Sequence, residues 1–233
     1  FHTQSFLKIL NWLMFKNYDF VVIVGGIIGY IASLSISRNN KSVCLIEKNK
    51  INKIISDDYC PLSLSINSVN FLKEKNIWDE DLIKSNPIES LYIKLFNSFN
   101  TIKISTSDIN FESIGQVVDK ASFLSYLRNL SKKNKNIDVI DNTELDIRQL
   151  ESLSKIYLPN ESEAIDFGQL IVTDGAHSKF AEKLNIPYKN INYDQTSYIF
   201  NGEYDSMEKS TAQIFTDKGV FAVLPGNGNK KSI

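Results

Sequence analysis

Hydrophobic residues run almost without a break over residues 18–24, and a cluster of glycines follows at once. A continuous apolar run that ends in a glycine turn is typical of a strand buried on both faces of a parallel sheet. Mostly apolar residues after the turn predict a helix over residues 29–38. A second apolar run at residues 43–46 predicts another buried strand, and Glu47 follows it directly. The chain therefore opens with a predicted βαβ unit that delivers a carboxylate to the end of its second strand.

Beyond this unit, hydrophobic periodicity predicts a mixture of helices and strands. Helices are expected over residues 65–75 and 119–132 and from about residue 178. Strands are expected within 91–104, at 137–140, from 154 to 158, at 170–172 and from 198 onward, with a turn at 225–228. Because a further element is predicted to begin close to the last residue, we interpret the chain as a truncated protein.

The glycines of the first turn carry the candidate chemistry of the βαβ unit. Gly25, Gly26 and Gly29 stand between the strand and the helix, where glycine lets the backbone approach a pyrophosphate. The N-terminus of the helix adds free N–H groups and the positive end of its dipole. The carboxylate of Glu47 can accept hydrogen bonds from a ribose. The pattern predicts a dinucleotide site, and an ordinary βαβ unit without a ligand remains the alternative.

The glycine fingerprint G-x-G-x-x-G is incomplete in this chain. When Gly26 and Gly29 are taken as its second and third glycines, Val24 occupies the place of the first. Either one residue has been lost from the turn, or Gly25 replaces the missing glycine with shifted geometry. A β-branched residue is strongly disfavoured at positive φ, so Val24 is not expected to do the work of a glycine.

Composition excludes several classes of protein. The 233 residues are 42% hydrophobic, which is enough for one large or two small cores. The 26 basic and 27 acidic residues are interspersed, and no basic stripe with aromatic residues suggests nucleic acid binding. The cysteines, Cys44 and Cys60, neither form a disulfide framework nor have metal-ligand spacing, so no metal is predicted.

Two segments raise the question of a membrane. The apolar stretch at residues 20–36 is interrupted by glycines and serines and falls short of the ~20 residues that span a bilayer. Residues 1–18 are basic and amphipathic. They are interpreted as a transit peptide, a membrane-surface helix or a leader without function.

Several segments occur together in an order that resembles the FAD-dependent aromatic hydroxylases, in particular the ubiquinone-biosynthesis hydroxylases. The segments that carry the resemblance are 19–29 with Glu47, 64–68 with Leu72 and 77–78, 114–119 with Leu124 and Leu127, 174–178, 193–195 and 219–225. Each segment is modest by itself, and the ordered set is specific.

The resemblance implies a fold class and a domain organisation. The expected fold is α/β, with a Rossmann-like FAD-binding βαβ domain, a β-rich substrate-domain insertion and an incomplete C-terminal part. Residues 1–18 are then a leader or amphipathic segment. Residues 19–83 and 119–185 form the FAD-binding domain, and residues 84–118 and 186–233 form a partial β-rich substrate domain.

The resemblance also implies site residues. Gly25, Gly26 and Gly29 are expected at the pyrophosphate of FAD, and Glu47 at the adenosine ribose. Asp174-Gly175 matches the Asp-Gly motif of the family, which lies by the pyrophosphate and is linked to the use of both FAD and NAD(P)H. A role for Asp174 as a helix N-cap is the alternative.

The chain departs from the family in three respects and leaves the catalytic groups unnamed. The first glycine is missing, Cys60 stands where an arginine is usual, and the third flavin motif, a Gly-Asp pair, is absent. His177 has no acidic or cysteine partner evident in the sequence and is a poor candidate for catalysis.

The implied activity is that of an FAD-dependent monooxygenase that uses NAD(P)H and O₂ to hydroxylate a polyprenylated phenol in ubiquinone biosynthesis. A truncated remnant without flavin or activity and a related FAD-dependent reductase remain as alternatives. The expected partners are a lipophilic phenol and a membrane surface or biosynthetic complex, without nucleic acid or metal. The expected location is a membrane-associated position in a bacterial cytoplasm, or the matrix face of the mitochondrial inner membrane.

Overall fold

The computed structural model describes residues 17–50, 59–146, 148, 150–152, 154–159, 164–176, 178–189, 191–203, 209–226 and 230–232. The chain divides into a first unit of residues 1–53 with 127–190 and a second unit of residues 54–126 with 191–233. Segments 54–83 and 119–126 therefore group with the β-rich part of the chain. The assignment of each part to flavin or substrate binding stays a prediction.

The described residues form five helices and fifteen strands. The helices are α1 (Ile27–Ser37), α2 (Ile66–Glu74), α3 (Thr106–Ile109), α4 (Lys120–Lys133) and α5 (Lys179–Lys183). The strands are β1 (Asn17–Ile23), β2 (Val43–Ile46), β3 (Pro61–Ser65), β4 (Ser85–Ile88), β5 (Ser90–Leu95), β6 (Thr101–Ser105), β7 (Gly115–Asp119), β8 (Ile137–Ile140), β9 (Leu150–Ser152), β10 (Lys155–Tyr157), β11 (Ala164–Val172), β12 (Asn201–Glu203), β13 (Ser210–Phe215), β14 (Val220–Pro225) and β15 (Lys230–Ser232).

The first unit is built on a six-stranded sheet with the order β8-β2-β1-β11-β10-β9. Strands β8, β2, β1 and β11 are parallel, and β10 and β9 are antiparallel additions at the edge. Val21 and Val22 of the central strand β1 are fully buried, as the continuous apolar run predicts. Because parallel strands end at the same edge, the residues after β1, β2 and β11 come together there.

Both faces of this sheet are buried, since neighbouring residues of β1 and of β2 are all 1% exposed or less. One buried cluster includes Ile23, Ile46, Phe167 and Phe180, so residues from β1, β2, β11 and α5 pack together. Helix α1 contributes the fully buried side chains of Tyr30 and Leu34. This packing holds the carboxyl ends of the strands in a fixed relation to the start of α1.

The beginning of β1 is tied to β2 by a carboxylate. Asp19 Oδ2 accepts hydrogen bonds from the backbone N of Ser42 at 2.9 Å and from its hydroxyl at 3.0 Å. Lys41 Nζ lies 2.9 Å from the other carboxylate oxygen. The hydrogen bonds from Lys41 and Ser42 lower the pKa of Asp19 to about 2.

The second unit contains two sheets. One has six strands in the order β12-β15-β14-β13-β5-β6, and the other has three in the order β3-β7-β4. Helix α2 begins after Ser65, whose side chain accepts a hydrogen bond from Ser68 N at 3.2 Å, as the predicted serine cap requires. Trp78 and Phe123 pack with ring centroids 6.2 Å apart.

Most of the predicted elements match the structure within two residues. Helix α1 begins at Ile27, two residues before the predicted start, because Gly26 and not Gly29 is its N-cap. Strand β8 has the predicted bounds. Among the described residues, none of the helices is long and apolar enough to cross a bilayer. The predicted leader at 1–18 lies almost wholly outside the described residues, which begin at residue 17.

Candidate dinucleotide site

The turn between β1 and α1 contains a valine in a conformation that favours glycine. Val24 has φ +74°, while Gly25 is not among the positive-φ residues of the described chain. The expectation that Val24 would not do the work of the first glycine is therefore wrong, and Gly25 does not replace it. Residues held in such regions cost about 1–3 kcal/mol and persist when their surroundings determine them.

The surroundings of Val24 supply that constraint. Its N–H donates to the carbonyl of Ile46 at 2.9 Å. Its carbonyl accepts a hydrogen bond from Thr173 Oγ1 at 2.6 Å. The peptide group before Val24 is thus bonded to strand β2. The peptide group after Val24 is bonded to Thr173, the residue that follows strand β11.

Gly29 allows α1 to approach the end of β1. A methyl group at this position would collide with the carbonyl oxygen of Val24 and would lie 2.8 Å from Thr173 Oγ1. Close packing of helix against strand is the role of the third glycine of the fingerprint. Gly29 therefore occupies the register that the sequence predicts.

Gly26 faces open space at the N-terminus of α1. It has extended dihedral angles (φ −71°, ψ −178°), and a methyl group built on it meets nothing within 4 Å. The helix has no side-chain cap hydrogen bond and no acidic residue in its first turn. The first-turn N–H groups and the helix dipole therefore face a space that an anionic group can enter.

Glu47 lies beside the glycine turn, as its position after β2 predicts. It is only 2% exposed, and one carboxylate oxygen accepts from Asn49 N at 2.7 Å. The other oxygen faces Gly25 so closely that a methyl group at Gly25 would collide with it. Glycine is thus required at position 25 because a larger side chain would collide with the Glu47 carboxylate, and not because of the backbone φ at that position. Contact between these residues and a nucleotide stays a prediction.

A buried charged group that sequence reasoning missed lies close to Tyr30, which packs beside Gly25. This group is Arg128 of α4, which is 6% exposed, and Tyr30 itself is fully buried. Burial raises the pKa of Tyr30 to about 12; the charge of Glu47 adds to this rise and that of Arg128 opposes it. The signal in the sequence is slight: Arg128 follows Leu127 of the apolar face of the predicted helix.

The segment after β11 contains the Asp-Gly pair. Gly175 has φ +91°, a conformation that L side chains rarely adopt. The N-cap of α5 is Ser178, whose hydroxyl accepts from Ala181 N at 2.9 Å, so the interpretation of Asp174 as the cap is wrong. Asp174 accepts a long 3.4 Å hydrogen bond from Phe180 N in the first turn of α5. His177 lies outside the described residues.

A cleft of about 460 Å³ opens at the carboxyl end of the first sheet. Its apolar lining residues are Ile23, Val24, Ile46, Leu145 and Phe180, and its polar lining residues are Lys48, Thr143, Glu144, Asp146, Asp174, Lys179 and Lys183. Lys48 Nζ lies 2.7 Å from Glu144, and this contact lowers the pKa of Glu144.

Taken together, the residues present fit the adenosine diphosphate half of a dinucleotide. The fit rests on the open space at Gly26, the uncapped helix and the buried carboxylate beside Gly25. Cys60 supplies no cation; its backbone N donates to Asp119 in the second unit at 3.2 Å. Within the described part of the chain, no group of three or more His, Cys, Asp or Glu residues is placed to hold a metal ion.

Comparison with known proteins gives consistent results. No protein-family model matches the chain. The chain is 26% identical over 228 residues to the mitochondrial ubiquinone biosynthesis monooxygenase COQ6 of Caenorhabditis elegans, covering 89% of this chain and 49% of that protein. It is 26% identical over 210 residues to COQ6 of Dictyostelium discoideum, covering 78% of this chain and 42% of that protein.

Among solved structures, p-nitrophenol 4-monooxygenase PnpA of Pseudomonas putida matches with a TM-score of 0.68 and 13% identity. The match covers 93% of this chain and 57% of the other. The chain spans about half the length of the curated relatives it matches. The resemblance stated from the motifs and the α/β fold class are confirmed.

Proposed function

Because the chain is related to the FAD-dependent aromatic hydroxylases of the ubiquinone-biosynthesis type, we propose that its first unit binds the adenosine diphosphate half of FAD. The observation that carries the proposal is the turn after β1. Open space at Gly26 adjoins an uncapped helix N-terminus, and the carboxylate of Glu47 lies against Gly25. These are the groups that a pyrophosphate and a ribose require.

Each part of the site has a distinct task in this proposal. The first-turn N–H groups of α1 donate to the pyrophosphate, and Gly26 leaves room for its oxygens. The carboxylate of Glu47 accepts hydrogen bonds from the ribose hydroxyls. Asp174 and Gly175 lie by the pyrophosphate. When bound, FAD reduced by NAD(P)H supplies the activation of O₂ for hydroxylation.

The names of the relatives support a proposed substrate and a proposed location. We propose a polyprenylated phenol of ubiquinone biosynthesis as the substrate, because both curated relatives are named for that pathway. The six-stranded sheet of the second unit, with the apolar residues Leu91 and Ile93 on one face of β5, is the proposed contributor to its binding. The names of both relatives include "mitochondrial", which supports a mitochondrial location. The matrix face of the inner membrane and association with a membrane or a biosynthetic complex are the finer parts of the proposal.

Flavin binding tests the first step. The purified chain is titrated into FAD, and flavin fluorescence and the absorbance retained after gel filtration are measured. The variant Gly26→Ala places a methyl group in the open space at the turn, at a folding cost of about 1 kcal/mol or less as a weaker N-cap. We expect it to lower FAD affinity at least about tenfold.

The matched control is Gly202→Ala, which adds the same methyl group in open space in the second unit. It should leave FAD affinity unchanged. Equal affinities of wild type and Gly26→Ala would contradict the proposed pyrophosphate contact. A chain that folds but retains no flavin would favour the alternative of a truncated remnant without activity.

Activity is tested with NAD(P)H, O₂ and a prenylated phenol. Incorporation of one oxygen atom from ¹⁸O₂ into the ring is the expected result. NAD(P)H oxidation that reduces a prenyl double bond without oxygen incorporation would instead favour the related reductase.

A further inference from the structure

Val24 holds an unfavourable backbone conformation at the position that matters most for the turn. Its φ of +74° sets the direction in which Gly25 and Gly26 leave the strand. A β-branched side chain disfavours this conformation, whereas glycine adopts it freely. Some other group must therefore hold the turn in place.

Thr173 is in contact with both residues that precede the glycines. Its backbone N donates to the carbonyl of Ile23 at 2.9 Å, which extends the pairing of β1 with β11. Its hydroxyl lies 2.6 Å from the carbonyl oxygen of Val24 and 3.0 Å from that of Ile23. The shorter distance identifies Val24 as the main acceptor.

The hydroxyl acts on one of the two peptide groups that flank Val24. Ile46 holds the peptide on the N-terminal side, because its carbonyl accepts from Val24 N at 2.9 Å. Thr173 holds the peptide on the C-terminal side. Without the hydroxyl, the Val24 carbonyl loses this hydrogen bond while Gly29 still packs against it.

We propose that Thr173 is a positioning residue for the phosphate-binding turn, whose hydroxyl holds the Val24 peptide in the left-handed conformation that a glycine would adopt unaided. The inference rests on the proposed binding of FAD at this turn. Thr173 does not contact the cofactor in this account; it acts through the direction of the Gly25 and Gly26 backbone.

The test is a set of variants made in two backgrounds. Thr173→Val removes the hydroxyl and keeps the shape, and Thr173→Ser keeps the hydroxyl. Each is combined with Val24 and with Val24→Gly, and FAD affinity is measured by fluorescence titration well below the melting temperature. We expect Thr173→Val to weaken FAD binding about tenfold, and Thr173→Ser to stay within about threefold of wild type.

Val24→Gly should remove the need for the hydroxyl. In that background, Thr173→Val is expected to change FAD affinity by less than about threefold, because glycine adopts positive φ without help. A lower melting temperature of Thr173→Val with an unchanged FAD affinity in the Val24 background would overturn the proposal. An equal loss of affinity in both backgrounds would overturn it too.

Stability measurements in the absence of flavin separate this inference from the proposed function. The unfolding equilibrium constants of wild type, Thr173→Val, Val24→Gly and the double variant are measured by urea titration. We expect Thr173→Val to raise this constant about tenfold more with Val24 than with Val24→Gly. If wild type binds no FAD but this coupling is present, the proposed function fails, and the inference that the Thr173 hydroxyl holds the Val24 peptide stands. Additive effects of the two substitutions on unfolding would overturn that inference directly.

Discussion

Two segments leave neighbouring parallel strands at the same edge of the first sheet, and each needs a residue with positive φ. After β11 that residue is Gly175, with φ +91° and no atom within 4 Å of a built methyl group. After β1 it is Val24, with φ +74° and hydrogen bonds on both flanking peptides. One segment meets the requirement by its residue type, and the other meets it through tertiary contacts.

The difference shows how a fingerprint glycine can be replaced. At position 175 the residue type alone allows positive φ, because glycine has no side chain to clash there. At position 24 positive φ is sterically unfavourable for valine, and hydrogen bonds to Ile46 and Thr173 hold the conformation. The loss of a glycine from a motif therefore does not by itself abolish the geometry that the motif produces.

The largest expected effect is at Gly29, against which the Val24 carbonyl packs. Gly29→Ala forces a methyl group onto a backbone oxygen that cannot move freely, so we expect a loss of about 3 kcal/mol in the free energy of unfolding. Urea denaturation measures it. Gly26→Ala, three residues earlier and in open space, is the control. Similar costs for the two variants would contradict the packing described for the turn.

Gly175→Ala tests the segment that relies on residue type. Because alanine is strained at φ +91°, we expect it to lower the free energy of unfolding by about 1–2 kcal/mol. Asparagine tolerates positive φ better than alanine does, so Gly175→Asn should recover part of the loss. Chemical denaturation of the three chains provides the comparison, and equal stability of all three would show that the segment does not need glycine.

At position 24 the order of glycine and alanine should be the reverse of that in an ordinary strand. We expect Val24→Gly to be more stable than Val24→Ala by about 1 kcal/mol, since only glycine is relaxed at φ +74°. At Val22, in the middle of β1, glycine should be less stable than alanine by about the same amount. Urea titrations of the four variants give both differences. The same order at both positions would contradict the left-handed conformation.

The smallest effect concerns the other end of β1 and depends on pH. The pKa of Asp19, about 2, lies below its ordinary value of 3.8, so its contribution to stability is present above about pH 4 and is lost as the pH falls through 2. Asp19→Asn should therefore lower the melting temperature at pH 7, and the difference from wild type should shrink between pH 4 and pH 2. Thermal melts at several pH values measure it. A difference independent of pH would exclude ionisation as the cause.

Much of the first unit can be predicted from the sequence. The apolar runs at 18–24 and 43–46 predict β1 and β2, since strands buried on both faces of a parallel sheet have such continuous apolar sequences. In the second unit, Ser65 and the apolar spacing after it predict α2 and its cap. The register of Gly26 and Gly29 and the place of Glu47 beside the turn are also local consequences of the βαβ pattern.

Other features of the site depend on residues far apart in the chain. The conformation of Val24 depends on a hydroxyl 149 positions away, and the burial of Arg128 close to Tyr30 depends on the packing of α4 in the first unit. The N-cap of α5 is Ser178 and not Asp174, which only the course of the backbone after β11 decides.

The sequence by itself determined most of the elements and their order, and it predicts the residues that a nucleotide would meet, because periodicity and turn chemistry act between neighbours. Only the tertiary structure decided that Val24 adopts the positive φ of a glycine and which side chain bonds its carbonyl. Backbone strain is tolerated when contacts from distant segments outweigh it, and no local pattern records those contacts.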